Sequence, residues 1–133
     1  PVVADPSEII QACINLGGNA VDAMPKGGTL TFCARNVVFE KAFDRQGKRI
    51  PAGQYVCIKM SDSGSGIPAA IRDRVFEPFF TQGKPSGTGL GLYISRELCE
   101  LNRATLLYLD RPGGGSIFRI VFADPDRWEA DTP

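Results

Sequence analysis

No histidine occurs in the 133 residues of the chain. That absence excludes His-ligated metal centres, a Ser-His-Asp triad, and any imidazole base or phosphoacceptor supplied by the chain itself. An excess of one charge is missing too. Fifteen Lys and Arg balance fifteen Asp and Glu, so net charge provides no hold on a nucleic-acid backbone or an acidic membrane surface. No apolar run approaches the roughly 20 residues of a membrane-spanning helix, and the first residues, PVVADPSE, carry neither a basic flank nor an apolar signal core. Cys13, Cys33, Cys57 and Cys99 form no C-x-x-C pair, which points to small buried hydrophobes in a reducing compartment, with a disulfide as the alternative. Together these absences lead us to expect a cytoplasmic domain that binds no nucleic acid and makes no membrane contact of its own.

The hydrophobic share, 43%, suffices for one buried core. We expect one domain over residues 1–122 and a loose, polar tail over 123–133. The chain starts without Met at the lip of its first helix, and we expect it to be a piece of a longer protein.

Asp5-Pro6-Ser7-Glu8 reads as a helix start, with Asp5 as N-cap, proline at the tolerated first position and Glu8 spaced for a capping box. The helix is expected to reach about Met24, before Pro25-Lys26-Gly27-Gly28. Its apolar stripe of Ile9, Ile10, Cys13, Ile14, Leu16, Ala20 and Val21 is interrupted by Asn15, Gly17, Gly18 and Asn19. Two interior glycines cost about 1 kcal/mol each relative to alanine, so something other than helix stability favours them. From Thr29 the period becomes two, giving a strand to about Phe39, a polar connection over 40–53 and a second strand over 54–61. A short helix over 69–75 and an aperiodic stretch over 76–86 follow. Helical spacing returns over 89–102, and strands over 104–109 and 116–122 flank Arg111-Pro112-Gly113-Gly114-Gly115. Helices segregated from hairpin-connected strands imply an α+β fold, a two-layer α/β sandwich.

Four constellations stand out. In Asp62-Ser63-Gly64-Ser65-Gly66 a carboxylate at a strand end precedes two glycines, an arrangement that can sit against a flat ligand. An ionised Asp only accepts hydrogen bonds and would favour an exocyclic amine. The same pentapeptide is also a turn composition. Gly64, Gly66 and Ala69 match a loose dinucleotide pattern, but Pro68 intervenes and the expected distal acid is missing. Gly87-Thr88-Gly89-Leu90-Gly91-Leu92 leads into a helix, where free N–H groups and the helix dipole can face a phosphate; alternatively the glycines serve only close packing. There is no Walker A sequence. Asn15 and Asn19 share one helix face, and amide oxygens are acceptable Mg²⁺ ligands, although such pairs also simply meet solvent. Last, Phe76-Glu77-Pro78-Phe79-Phe80-Thr81 gathers three aromatics beside Gln82-Gly83-Lys84-Pro85-Ser86, and at least one of them is expected in the core.

In this order, the four elements resemble the catalytic ATP-binding domain of sensor histidine kinases, within the superfamily of gyrase B, Hsp90 and MutL. The resemblance covers about residues 5 to 122 and implies the Bergerat α/β sandwich, a mixed sheet with helices on one face. It implies ATP and Mg²⁺ as ligands, with Asn19 the Mg²⁺ ligand and Asn15 its partner on the helix face. Asp62 resembles the adenine-reading carboxylate, with Gly64 and Gly66 its close-approach glycines. Phe76, Phe79 and Phe80 fall on the F box, which in the family adjoins a mobile ATP lid, here about Thr81 to Thr88. Gly87, Thr88, Gly89, Leu90, Gly91 and Leu92 fall on the phosphate-binding G2 box. Where many relatives place Lys, Arg or Tyr after the second asparagine, this chain reads Val21-Asp22-Ala23, leaving Lys84 as a cation that could meet phosphate. Hydrolysing branches carry a glutamate at the Asn15 position; asparagine is no base, so phosphoryl transfer is expected over hydrolysis.

The implied activity is donation of the γ-phosphoryl to a histidine on a separate dimerisation domain, with a response regulator downstream. Little turnover is expected from this chain alone, and dimerisation in the family resides largely in that other domain, so a monomer is expected. Two other readings fit the same residues: a degenerate nucleotide-sensing module, and a serine kinase of the anti-sigma-factor type. The tail and Leu98-Cys99-Glu100-Leu101-Asn102 resemble nitrogen-regulation or pilus-type sensor kinases.

Overall fold

The structure, a computed structural model, describes residues 3–80 and 90–123. Helix α1 spans Pro6–Asp22 and opens as the sequence predicts, with Asp5 Oδ1 accepting from the N–H groups of Ser7 and Glu8. The capping box does not close. The Asp5 N–H donates instead to Asn102 Oδ1 at 2.7 Å, while Asn102 Nδ2 donates to Glu8 Oε1 at 3.4 Å. Asn102, the buried C-cap of helix α2 (Gly91–Leu101), thus lies between the two groups that were expected to pair.

Helices α1 and α2 pack together on one face of a four-stranded sheet of β1 (Leu30–Phe39), β4 (Gly53–Asp62), β5 (Ala104–Asp110) and β6 (Ser116–Ala123), in the order β1-β4-β6-β5. The α+β, two-layer arrangement is the expected one. Its pairing is antiparallel at each of the three ladders rather than mixed, because β4 reaches β6 by passing through α2 and β5, which reverses the chain once more. Ala123, expected as the first tail residue, is the last of β6; the rest of the predicted tail lies outside the described residues.

Strand alternation sorts the core into two clusters. Met60, Leu106, Tyr108, Phe118 and Ile120 turn toward the helices and meet Ala12, Leu16 and Cys99. Ile10, Ile14 and Val21, members of the apolar stripe of α1, are 57%, 60% and 61% exposed, because α2 and the sheet cover only the side carrying Ala12, Leu16 and Ala20.

The opposite sheet face has a cover of its own. The predicted polar connection folds into a hairpin of β2 (Phe43–Arg45) and β3 (Lys48–Ile50), which lays Phe43 and Ile50 against Tyr55, Cys57, Leu107 and Val121. Its tip wraps the outer edge of β5: Arg45 Nε donates to the Tyr108 carbonyl at 3.0 Å, and the Tyr108 N–H donates to Gln46 Oε1 at 2.7 Å. An edge strand that would otherwise offer unpaired groups is thereby satisfied.

The predicted helix over 69–75 shortens to a 3₁₀ turn, Ala69–Ile71, after which further turns carry Val75 and Phe76 into the core. All four cysteines are free, and burial raises the pKa of Cys13, Cys57 and Cys99, the last to about 12.

Candidate functional site

The site is built at the end of the sheet where β4 finishes and β6 begins. Leu30, Asp62, Ser116 and Asp110 occupy one row across the four strands, followed by Phe32, Met60, Phe118 and Tyr108. Asp62 shares the helix-facing side with Met60 and is only 4% exposed. Its Oδ1 accepts from the N–H groups of Gly64 at 2.9 Å and Ser116 at 3.3 Å. Among the described residues none donates to Oδ2. A buried carboxylate oxygen of this kind is suited to receive a further donor.

The glycines after Asp62 are dictated by close backbone packing. A β-carbon on Gly64 would lie 2.7 Å from the Ala23 carbonyl oxygen at the end of α1. Gly66 has a φ of +74°, and its β-carbon would lie 3.1 Å from the Gly115 oxygen. Gly115, at φ +112°, packs so tightly that a β-carbon would fall on the Asp62 carbonyl oxygen. The close approach that suggested a ligand-facing role for Gly64 and Gly66 is therefore made, at both positions, by the chain's own backbone.

Asn19 is brought to the start of α2. Its Nδ2 stands 3.7 Å from the place a Gly91 β-carbon would take, so the second asparagine of α1 and the last glycine of the Gly-rich segment are neighbours. Asn15 lies one turn back, its Oδ1 accepting from Gln11 Nε2 at 2.9 Å. Leu90 at the N-cap of α2 provides no side-chain acceptor for the first-turn amides, which suits an anion there. Leu92 packs partly into the core, so its contribution is packing of the helix start. Phe79 is 75% exposed in a left-handed conformation, φ +68°, while Phe76 is buried and Phe80 packs partly against the core beneath the Arg74 guanidinium. Thr81, Lys84, Gly87, Thr88 and Gly89 lie outside the described residues.

Sequence reasoning missed the residues behind Asp62. Ser116 contributes an amide, and Tyr108, Asp110 and Arg72 surround the end of the glycine turn. A serine following three glycines was the available signal, but those glycines also read as a plain hairpin turn.

Comparison with known proteins decides the family. A model described as histidine kinase-, DNA gyrase B-, and HSP90-like ATPase matches residues 4–126. The chain belongs to this ATPase family. Among curated relatives, the sensor kinase CckA of Brucella abortus is 36% identical over 121 residues, 90% of this chain and 13% of that protein. The sensor protein kinase PilS of Pseudomonas aeruginosa is 49% identical over 77 residues, 58% of this chain and 14% of that protein. The catalytic domain of histidine kinase ThkA superposes with a TM-score of 0.70 at 29% identity, over 91% of this chain and 69% of that one. The domain is thus an ATP-binding kinase domain of the sensor histidine kinase type, and it spans only a small part of its curated relatives' length. Among the described residues, no helix is long and apolar enough to cross a membrane.

The residues present fit Mg-ATP. The Oδ2 of Asp62, to which no described residue donates, suits an amine, and the start of α2, where Leu90 gives no side-chain cap, suits phosphate. Among the described residues no three His, Cys, Asp or Glu side chains cluster as a metal site. Asn19, beside the start of α2, would offer Mg²⁺ an amide oxygen, with phosphate oxygens and water completing a shell of the kind this ion takes.

Proposed function

We propose that the domain binds Mg-ATP and donates the γ-phosphoryl to a histidine on a separate dimerisation and phosphoacceptor domain, in a cytoplasmic two-component pathway with a response regulator downstream. The observation that carries this reading is the buried Asp62 carboxylate, with one oxygen saturated by two backbone amides and the other open. An acceptor-only group in that position selects the adenine 6-amino group and rejects a carbonyl. The Gly-rich segment through Gly91 and the start of α2 hold the phosphates, and Asn19 holds Mg²⁺. The ion supplies charge neutralisation when bound.

Asn15 cannot take a proton from water, which favours transfer over hydrolysis. In the transfer, the bond from the γ-phosphorus to the bridging oxygen of ADP breaks, a phosphorus–nitrogen bond forms to the acceptor imidazole, and the imidazole proton leaves to solvent. The domain's own residues contribute by positioning the nucleotide.

The test is calorimetric titration of the chain with AMPPNP, with and without Mg²⁺, followed by labelling of an added histidine-bearing dimerisation domain. Wild type is expected to bind, Asp62→Ala to lose binding, and Asn19→Ala to lose the Mg²⁺ dependence. An acid-labile label on the acceptor supports histidine transfer; an acid-stable one points to serine. Nucleotide binding with no label on any acceptor would reduce the domain to a sensing module.

A further inference from the structure

We infer that Tyr108 is a positioning residue for base recognition, clamping the glycine turn that aims Asp62; the inference rests on the nucleotide-binding reading above. Tyr108 is 3% exposed, and its hydroxyl is the hub of a network that joins the turn after β4 to β5 and the start of β6. It accepts from the Ile67 N–H at 3.0 Å and donates to Asp110 Oδ1 at 3.2 Å, with Ser116 Oγ at 3.4 Å. Asp110 in turn receives Arg72 Nη2 at 2.6 and 2.7 Å, and Arg72 Nε donates to the Ile67 carbonyl at 3.2 Å. Both backbone groups of Ile67 are therefore held, one by the tyrosine and one by the arginine, whose guanidinium carbon lies 5.6 Å from the Tyr108 ring centroid.

Ile67 closes the turn that begins at Asp62, and two routes lead from Tyr108 to that carboxylate. One runs along the turn to the Gly64 N–H; the other runs through Ser116, whose N–H also donates to Asp62. Both donors converge on Oδ1, so both set the direction of Oδ2. The Arg72–Asp110 pair is partly exposed to solvent and contributes little by itself. The buried hydroxyl gives the clamp its strength, because among the described residues no other group accepts from the Ile67 N–H.

The experiment compares Tyr108→Phe with wild type for two ligands: AMPPNP, and the matching triphosphate analogue of purine riboside, which lacks the 6-amino group. Tyr55→Phe is the control. It removes a hydroxyl bonded to the Pro51 carbonyl on the other face of the sheet. Tyr108→Phe is expected to raise the AMPPNP Kd about fivefold to tenfold, in line with one lost hydrogen bond. Its effect on the analogue without the amine should stay within about twofold, and Tyr55→Phe should leave both affinities unchanged. Asp110→Asn, on the exposed side of the network, should shift AMPPNP affinity in the same direction by a smaller factor, and it serves should Tyr108→Phe fail to fold. Wild-type affinity for AMPPNP in both variants would overturn the inference. Equal weakening of both ligands would also overturn it, because it would mark a general loosening of the fold. Failure of the wild-type chain to bind either ligand would instead overturn the nucleotide-binding reading itself.

Discussion

The Ser116 N–H donates to the Asp62 carboxylate at 3.3 Å from directly across the β4–β6 ladder. That carboxylate is thus aimed by a strand that starts far later in the sequence, and in the function proposed above its oxygens have separate tasks: Oδ1 is bonded to the fold and Oδ2 is left for the ligand's amine.

Asp62→Asn separates these tasks. The amide oxygen can replace Oδ1 toward Gly64 and Ser116, while the amide nitrogen presents a donor where the ligand's amine needs an acceptor. Thermal unfolding should shift little, whereas AMPPNP affinity should fall at least about tenfold, a loss in the range of a charged hydrogen bond. Asp62→Ala should in addition lose about 1–3 kcal/mol of stability, because two backbone amides lose their acceptor. Parallel melting curves and titrations check both statements.

Two glycines predict opposite outcomes. Gly64→Ala places a β-carbon 2.7 Å from the Ala23 carbonyl oxygen, a backbone atom that cannot swing away, and should cost about 1–3 kcal/mol. Gly18→Ala meets nothing within 4 Å inside α1 and should stabilise the fold by about 0.5–1 kcal/mol. Urea unfolding of both variants would refute the packing argument if Gly64→Ala proved neutral.

Asn102 ties the start of α1 to the end of α2. Its side chain accepts from the Asp5 N–H and donates to Glu8 and to the Leu98 carbonyl at 2.7 Å. Asn102→Ala should destabilise by about 1–3 kcal/mol, whereas Asn102→Asp, which keeps the acceptor toward Asp5 but places a second carboxylate near Glu8, should recover only part of that. Chemical denaturation midpoints of the two variants give the comparison.

Burial holds the Cys99 thiol near 12, above its ordinary 9.0, so the fold favours the protonated form. The corresponding stability is complete below pH 9 and is lost as pH rises toward 12, because the unfolded thiol ionises first. Between pH 7.5 and pH 10 the wild type should therefore lose about 1 kcal/mol relative to Cys99→Ala. An unchanged difference between the two proteins at both pH values would contradict a buried, protonated thiol.

Local chemistry was legible without coordinates. The Asp5 cap, the ends of β1, β4, β5 and β6 to within a residue or two, and the helix carrying Asn15 and Asn19 follow from capping residues and hydrophobic periods, which act between near neighbours. The family was legible for a related reason: its short motifs keep their order along the chain. Several things were not. Ile10, Ile14 and Val21 look like core residues until the position of α2 decides which side of α1 is covered. The polar connection before β4 gives no strong period, yet it becomes a hairpin because the second sheet face needs a cover and the β5 edge needs partners. The same holds for the clamp behind Asp62. Tyr108, Asp110, Arg72 and Ser116 carry no motif and are spread over three segments, so nothing local marks them. The sequence by itself determined which groups are chemically suited to an amine, a phosphate or a divalent cation, because those are properties of side chains and short turns. Only the tertiary structure decided which backbone amides aim Asp62 and which glycines are demanded by the chain's own packing, because close approach between distant segments exists only once the strands are paired.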